Sequence, residues 1–236
     1  MHYLFMPLDQ HFDKGFGAVA DSFKEAADSL TQSTAEAPFL NAHLPVSFLY
    51  RHAIELYLKS AILIFHRKLK IPYGTTPWDG EPHVLGDAKW KPMYNEHRIQ
   101  TLYSYVRELF SQQSEYLEEK TRTDWSFPVE LDDWIKKIET TDSSSTFFRY
   151  PVTKDKIKDK EKSAIREDDF ENMLAKAKSG SKPLKAFLVL DSDDQVTQAF
   201  SHDDSQSQET MAILKEVSHV LYGCHAALVG ELTGGR

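Results

Sequence analysis

Residues 47–70 read SFLYRHAIELYLKSAILIFHRKLK and contain no glycine or proline. Pro45 precedes this run, and proline suits the first turn of a helix because its φ is already fixed near the helical value. The middle of the run is apolar on nearly every face, so a helix here needs cover on several sides, from other helices or from a second subunit. The pattern predicts a central helix over residues 46–69, and its excess of apolar surface predicts a homodimer.

The rest of the chain is also mostly helical in pattern. Apolar residues recur at three- and four-residue steps in five further segments, which is typical of amphipathic helices. A different segment, punctuated by proline and glycine, predicts a long loop at residues 71–92 with Trp78 and Trp90 as anchors. The predicted helices cover residues 12–30, 97–117, 129–139, 166–178 and 207–229.

Residues 185–201 change from the helical period to a strand pattern. The apolar runs FLVL and VTQAF flank an acidic turn at residues 191–194, and this order predicts one β-hairpin. We therefore expect a mainly α fold in two parts. Residues 1–165 form a helical bundle, and residues 166–236 supply a helix, the hairpin and a final helix packed on that bundle.

Composition limits the compartment and the partners. The formal net charge of -8 repels polyphosphate, so nonspecific binding of nucleic acid would need a local basic patch. The single cysteine, Cys224, excludes an intramolecular disulfide. The chain has no charged-then-apolar secretory start, and its most apolar stretch, residues 53–65, is interrupted by charges and too short to span a bilayer. A cytoplasmic protein without membrane contact is expected.

Motifs for familiar cofactor or metal chemistry are missing from the sequence. It has no glycine-rich phosphate loop, no H-E-x-x-H and no G-x-S-x-G. The acidic turn at residues 191–194 lacks the glycine and the terminal glutamate of an EF-hand loop, so a solvated turn is expected there. We therefore expect no cofactor and no bound metal.

A line of charge runs along the predicted central helix. Arg51, Glu55 and Lys59 are four residues apart and therefore share one face. Such spacing commonly forms a structural ion-pair ladder. The functional alternative is a charged line in a cleft, where a desolvated glutamate between two cations binds or orients a ligand.

Two further positions carry candidate chemistry. His97 follows Asn95 and Glu96 at the start of the third predicted helix, where its ring can face the central helix, although a polar first turn that satisfies backbone N–H groups explains it equally well. Arg149 stands between aromatic residues in FFRYP, residues 147–151. This arginine can clamp a carboxylate or phosphate while stacking on a ring, or pair internally with a carboxylate such as Glu55. We favour the internal pair.

These polar residues are expected to meet at one site beneath the proline-rich loop. The candidate groups are His97, Arg149 and Arg51 for catalysis and Glu55, Lys59 and Tyr150 for ligand binding. In an RNA-cleaving site the histidine would move a proton and the arginine would stabilise phosphorane charge.

Three short motifs resemble the HEPN family of prokaryotic helical domains. Residues 53–59 match the A-x-E-x-x-L-K signature of its core helix, His97-Arg98-Ile99 stands where members often carry H-x-L, and an acidic, serine-rich turn precedes F-R-Y-P at residues 148–151. The resemblance covers residues 12–151. It implies a HEPN-like helical bundle that dimerises.

The resemblance also implies two classes of function. Many HEPN proteins are metal-independent endoribonucleases of toxin, CRISPR and antiphage systems, and others bind nucleotides or proteins. The nuclease members carry an arginine and a histidine four to six residues apart, and no arginine from Arg51 to Arg166 has such a partner. We therefore expect a component of a prokaryotic antiviral defence, toxin–antitoxin or stress system that works through protein interaction or ligand sensing. The alternative is a noncanonical metal-independent endoribonuclease, in which case RNA is a partner.

Overall fold

The computed structural model describes residues 5–36, 41–179 and 185–235 of the chain. In these ranges the fold is mainly helical, as the sequence predicts, with eight α-helices and five short strands. Of these helices, none is long and apolar enough to cross a membrane. The elements in chain order are α1 (Phe16–Glu36), α2 (His43–Leu69), β1 (His83–Gly86), β2 (Lys89–Pro92), α3 (Ile99–Gln112), α4 (Ser114–Lys120), α5 (Leu131–Asp142), α6 (Lys156–Glu161), β3 (Ile165–Glu167), α7 (Phe170–Lys178), β4 (Lys185–Leu190), β5 (Val196–His202) and α8 (Ser205–Thr233).

Helix α2 forms the centre of the hydrophobic core. Every residue at positions 53–66 is buried, and Pro45 lies in the first turn, as predicted. Helices α1 and α3 pack along α2, and α8 reaches it through the ring contact of Tyr57 with Tyr222. The cover that the sequence requires for this helix therefore comes from the chain itself. The excess apolar surface from which a homodimer was predicted is not exposed on His43–Leu69.

A buried polar contact fixes α8 and the start of α1 against α2. The Ser60 hydroxyl donates to Oδ2 of Asp13 at 2.5 Å and lies 3.1 Å from Nδ1 of His225. The same carboxylate accepts the backbone N–H of Gly17 at 2.7 Å. A Cβ at Gly17 would lie 2.0 Å from the His225 ring, so only glycine allows this approach.

Two predicted boundaries near the candidate site are wrong. The third predicted helix, 97–117, is broken at Gln113, whose φ of -109° and ψ of 14° are not helical, and α3 begins only at Ile99. His97 therefore precedes the helix. The predicted loop at residues 71–92 contains the antiparallel hairpin β1–β2. Trp90 of this hairpin anchors it, because its ring lies against the rings of Tyr73 and Tyr105.

The chain divides into two compact units, 1–150 with 210–236 and 151–209. These boundaries differ from the predicted one at residue 165. Most of α8 belongs to the first unit, because its buried side chains, such as Leu214 and Leu228, are part of the hydrophobic core.

The second unit contains the predicted β-hairpin, formed by β4 and β5, and a third strand. The strand order is β3-β5-β4, and both pairings are antiparallel. Arg166, predicted to begin a helix, lies in β3 because residues 165–167 pair with β5. The helix itself, α7, starts at Phe170 after Asp169, whose side chain accepts the N–H of Asn172 and caps it.

Candidate functional site

Three charged residues of α2 form a ladder inside the first unit. Arg51 Nη1 donates to Oε2 of Glu55 at 3.2 Å, and Lys59 Nζ donates to Oε1 at 2.8 Å. Their side chains are only 1–4% exposed. The four-residue spacing thus brings these groups together as the sequence predicts, but the ladder is buried, so neither solvent nor a ligand reaches most of it.

His97 connects the ladder to the surface. Its Nδ1 lies 2.9 Å from Oε1 of Glu55, while its side chain is 50% exposed. Because an ionised carboxylate can only accept, Nδ1 carries the hydrogen. In the described part of the chain, Nε2 has no hydrogen-bond partner. The imidazole is therefore oriented by a buried carboxylate and keeps its second nitrogen available.

Neighbouring residues hold the backbone on both sides of His97. A short 3-10 turn at Met93–Asn95 precedes it. On the other side, Arg98 donates from its backbone N and from Nε to Oε1 of Glu96, both at 3.0 Å. Arg98 Nη2 also donates to Asp87 at 3.1 Å, in the turn of the β1–β2 hairpin. The proline-rich segment is thus tied directly to the residue next to His97.

The guanidinium of Arg51 is buried and bound inside the protein. Nη1 donates to Glu55 and to Ser145 Oγ at 2.9 Å, and Nη2 donates to the carbonyl oxygens of His97 at 2.8 Å and Asp142 at 3.2 Å. Nε lies 3.0 Å from Oδ2 of Asp142. Four of the five N–H donors of this arginine are therefore hydrogen-bonded, and Nε forms an ion pair with Asp142 without a hydrogen bond. Arg51 therefore ties α2 to the end of α5 and to the His97 segment.

Asp142 and Ser145 are members of the network that sequence reasoning missed as site residues. Asp142 is buried at the end of α5, and its Oδ1 accepts the N–H groups of Thr146 and Phe147 at 2.8 and 3.0 Å. The signal available was an aspartate at the start of a serine-rich turn, a residue type that commonly caps its own backbone. Nothing local indicates Arg51 as its partner.

The charges in the network balance. Burial by itself raises the pKa of Glu55, but the Lys59 ammonium and the hydrogen bonds from Lys59 and His97 lower that pKa, and the net value lies below the ordinary one. Glu55 is therefore ionised at neutral pH. Two cations, Arg51 and Lys59, face two carboxylates, Glu55 and Asp142, so the buried group carries no net formal charge when His97 is neutral.

Arg149 does not join this network. Its guanidinium lies 6.0 Å from the ring centroid of Phe48 on α2 and 5.4 Å from that of Tyr150. In the described part of the chain, no hydrogen bond or ion pair joins its guanidinium to another residue. The internal pair with Glu55, which we favoured from the sequence, is wrong, because Glu55 is already occupied by Arg51, Lys59 and His97.

The predicted convergence is therefore only partial. Four of the predicted residues, Arg51, Glu55, Lys59 and His97, meet at one place, and Arg149 with Tyr150 forms a separate exposed feature. His52, also on α2, is stacked on Phe48 and lies edge-on to Phe23. Burial lowers the pKa of His52. The Glu55 carboxylate opposes this shift, and the cations Lys59, Arg51 and Arg149 add to it, so the net pKa lies below the ordinary value.

Two cavities of the first unit lie away from these residues. One of about 420 Å³ is bordered by α3, α4 and residues 123–127, and another of about 280 Å³ lies between the same segment and α8. None of the six predicted site residues lines either one. Across residues 5–36, 41–179 and 185–235, no group of three or more His, Cys, Asp or Glu side chains is arranged to hold a metal ion.

Comparison with protein-family models, with curated proteins and with solved structures finds no match to this chain.

Proposed function

We propose that the chain is a HEPN-like component of a prokaryotic defence, toxin or stress system that acts by binding an anionic group on a protein partner or a small ligand. RNA cleavage is not its main activity in this proposal. Arg149 is the proposed contact, with Tyr150 beside it. The buried ladder of α2 serves as the scaffold that holds the His97 segment and the end of α5 in place.

The observation that carries this proposal is the contrast between the two arginines. Arg51 is buried, with four donors hydrogen-bonded to internal oxygens and Nε paired with Asp142. The exposed Arg149 instead lies over the rings of Phe48 and Tyr150, without a carboxylate partner in the described residues. Stacking on aromatic rings orients a guanidinium while its N–H edge stays available for a bidentate contact with a carboxylate or phosphate. Of the two, Arg149 is the one built to bind something outside the chain.

The arrangement also lacks what efficient RNA cleavage needs. A metal-independent nuclease places a cation beside the group that transfers a proton, so that both face the scissile phosphate. Arg98, next to His97 in the chain, is already paired with Glu96 and Asp87. Of the other cations around His97, Arg51 is 1% exposed and Lys59 is 4% exposed. Bringing either of them to a phosphate would break a buried ion pair.

Binding at Arg149 is tested by NMR of the arginine side-chain Nε–H signals during titration of the full chain with inorganic phosphate. The Arg149 signal, assigned with Arg149→Lys, is expected to move and saturate. Arg107 provides the matched control, because it is also exposed and lies over an aromatic ring, 5.0 Å from the Phe127 centroid. It differs from Arg149 in that Glu118 and Asp124 line the same cavity, and their negative charges disfavour phosphate there. Equal movement of the two arginine signals would reject a specific site.

The noncanonical endoribonuclease stays the second candidate because of one specific observation. His97 pairs a carboxylate-bound Nδ1 with an exposed ring, which is the arrangement of a general acid or base oriented by an acidic residue. Incubation of the protein with total RNA and with tRNA in EDTA separates the two candidates. Under the binding proposal, both RNAs stay intact. Cleavage that depends on His97 would reject the binding proposal in favour of the endoribonuclease.

A further inference from the structure

Strand β4 carries the most exposed apolar sequence of the second unit. Phe187, Leu188, Val189 and Leu190 are 44–53% exposed, although the run contains residues from both faces of the strand. Strand order places β4 at the edge of the sheet, and in the described ranges no strand pairs with its outer side. An exposed apolar edge strand is a template for pairing with another strand.

The backbone of β4 shows which residues point to the open edge. The N–H of Asp191 donates to the carbonyl oxygen of Gln195, and the carbonyl oxygen of Val189 accepts from the Thr197 hydroxyl, so the backbones of positions 189 and 191 face β5. The pairing shifts between Val189 and Leu190, where β5 contains one extra residue, Thr197, so the bulge lies on β5. Backbone groups therefore still alternate along β4. Ala186, Leu188 and Leu190 therefore direct their N–H and C=O groups away from the sheet.

This alternation restricts how two copies of β4 can pair. In an antiparallel ladder, two residues that exchange hydrogen bonds stand directly opposite each other, so the outward residues of one copy must oppose the outward residues of the other. A two-fold axis through Leu188 satisfies this condition. It sets Leu188 against its own copy and Ala186 against Leu190.

The same register matches charge and shape along the edge. Lys185 then stands opposite Asp191, and Phe187 stands opposite Val189, each twice because of the two-fold axis. Opposite charges and aromatic–β-branched pairs are the cross-strand neighbours that stabilise sheets. These pairs occupy positions without mutual hydrogen bonds, where side chains come closest.

We propose that β4 pairs with β4 of a second copy of this chain about a two-fold axis at Leu188, which joins two three-stranded sheets into one six-stranded sheet. The proposal depends on residues 185–191 and is independent of the function proposed for Arg149. It replaces the apolar face of α2 as the basis for a homodimer, since α2 is covered within one chain.

Cysteine cross-linking of the full chain tests the register. In a Cys224→Ser background, Leu188→Cys places two Cα atoms about 5.5 Å apart across the axis, within the range of a disulfide. Leu190→Cys is the matched control, because its two copies are offset by roughly 14 Å along the strands. Mild oxidation is expected to cross-link the Leu188→Cys variant into a dimer and to leave the Leu190→Cys variant monomeric. Equal cross-linking of both variants would overturn the register.

Sedimentation equilibrium tests the interface itself. The wild-type chain is expected to dimerise, and Leu188→Lys, which sets two ammonium groups opposite each other, is expected to weaken dimerisation by at least about tenfold. Val129→Lys is the control, since Val129 is 88% exposed in the first unit. The proposal would be overturned if wild type stays monomeric at about 10⁻⁴ M. It would also be overturned if the Leu188→Lys variant dimerises as tightly as wild type.

Discussion

The Nδ1 nitrogen of His97 lies 2.9 Å from the Oε1 oxygen of Glu55, so a half-exposed imidazole rests on a carboxylate that is almost completely buried. This contact is the point where the internal ion-pair network of α2 reaches the surface. We therefore expect substitutions of Glu55 to change mainly the stability of the fold, and substitutions of His97 to change mainly any chemistry at the surface.

Removing the charge of Glu55 should destabilise the protein strongly. Glu55→Gln removes the carboxylate that binds Lys59 and Arg51. It also places an amide N–H group, itself a donor, next to the N–H donors of those residues. The loss of one partner of a buried pair typically costs about 3–5 kcal/mol. We expect a loss of roughly that size in the free energy of unfolding, measured by urea denaturation.

An exposed ion pair provides the control for Glu55. Asp133 is 77% exposed beside Lys136, so Asp133→Asn should change the unfolding free energy by less than about 1 kcal/mol. If Glu55→Gln is as mild as Asp133→Asn, the network is not the scaffold proposed above.

Acid should weaken the fold through His66. This residue is buried, donates from Nδ1 to the carbonyl oxygen of Ile71 at 2.7 Å and accepts from the Tyr105 hydroxyl at 2.7 Å. Burial lowers the pKa of His66 from 6.5 to about 4. Between pH 6.5 and about pH 4, His66 is therefore protonated in the unfolded chain but not in the folded chain. The free energy of unfolding falls as the pH drops through this range.

The contribution of His66 to this pH dependence is isolated by substitution. A pKa difference of this size corresponds to roughly 3 kcal/mol across the window. His66→Gln should lower stability at neutral pH and flatten the curve of unfolding free energy against pH. The exposed His219 serves as control, because His219→Gln is expected to leave the slope unchanged. An unchanged slope in His66→Gln would contradict the prediction.

His97→Ala should distinguish the two candidate functions without unfolding the protein. Because half of the side chain is exposed, we expect a stability loss below about 1.5 kcal/mol, the contribution of an ordinary hydrogen bond. If wild type cleaves RNA in EDTA, the variant should lose activity by about 10²–10⁴-fold, the typical contribution of general acid–base catalysis.

The binding proposal predicts a different result in the same gel assay. Wild type, His97→Ala and the control His219→Ala should all leave total RNA and tRNA intact. Cleavage by wild type that persists in His97→Ala would exclude this histidine from any mechanism.

Two glycine substitutions should act in opposite directions. In Gly17→Ala the new methyl group would lie 2.0 Å from the His225 ring and displace it from Ser60, and such overpacking typically costs about 1–3 kcal/mol. In Gly223→Ala nothing lies within 4 Å of the new Cβ, so the variant should gain about 0.5–1 kcal/mol from helix propensity. Thermal unfolding of both variants measures the difference, and a harmless Gly17→Ala would show that α8 packs less closely on α1 than described.

The sequence alone predicted the elements with strong periodicity. The unbroken apolar run gave the central helix, the change of period gave the β4–β5 hairpin, and the last amphipathic pattern gave α8. Four-residue spacing also predicted the contacts of Glu55 with Arg51 and Lys59, because helix geometry alone brings such side chains together.

Tertiary structure decided the rest, because it depends on partners far away along the chain. Arg51 meets Asp142 and Ser145, 91 and 94 residues later, and only the packing of α5 against α3, beside α2, brings them within reach. Arg149 lies over Phe48, whereas Glu55, the carboxylate proposed as its partner, is buried and binds Arg51, Lys59 and His97 instead. Local spacing determines which side chains share one face of a helix. Which groups pair with a buried carboxylate depends on how the helices pack, and the sequence pattern does not contain that information.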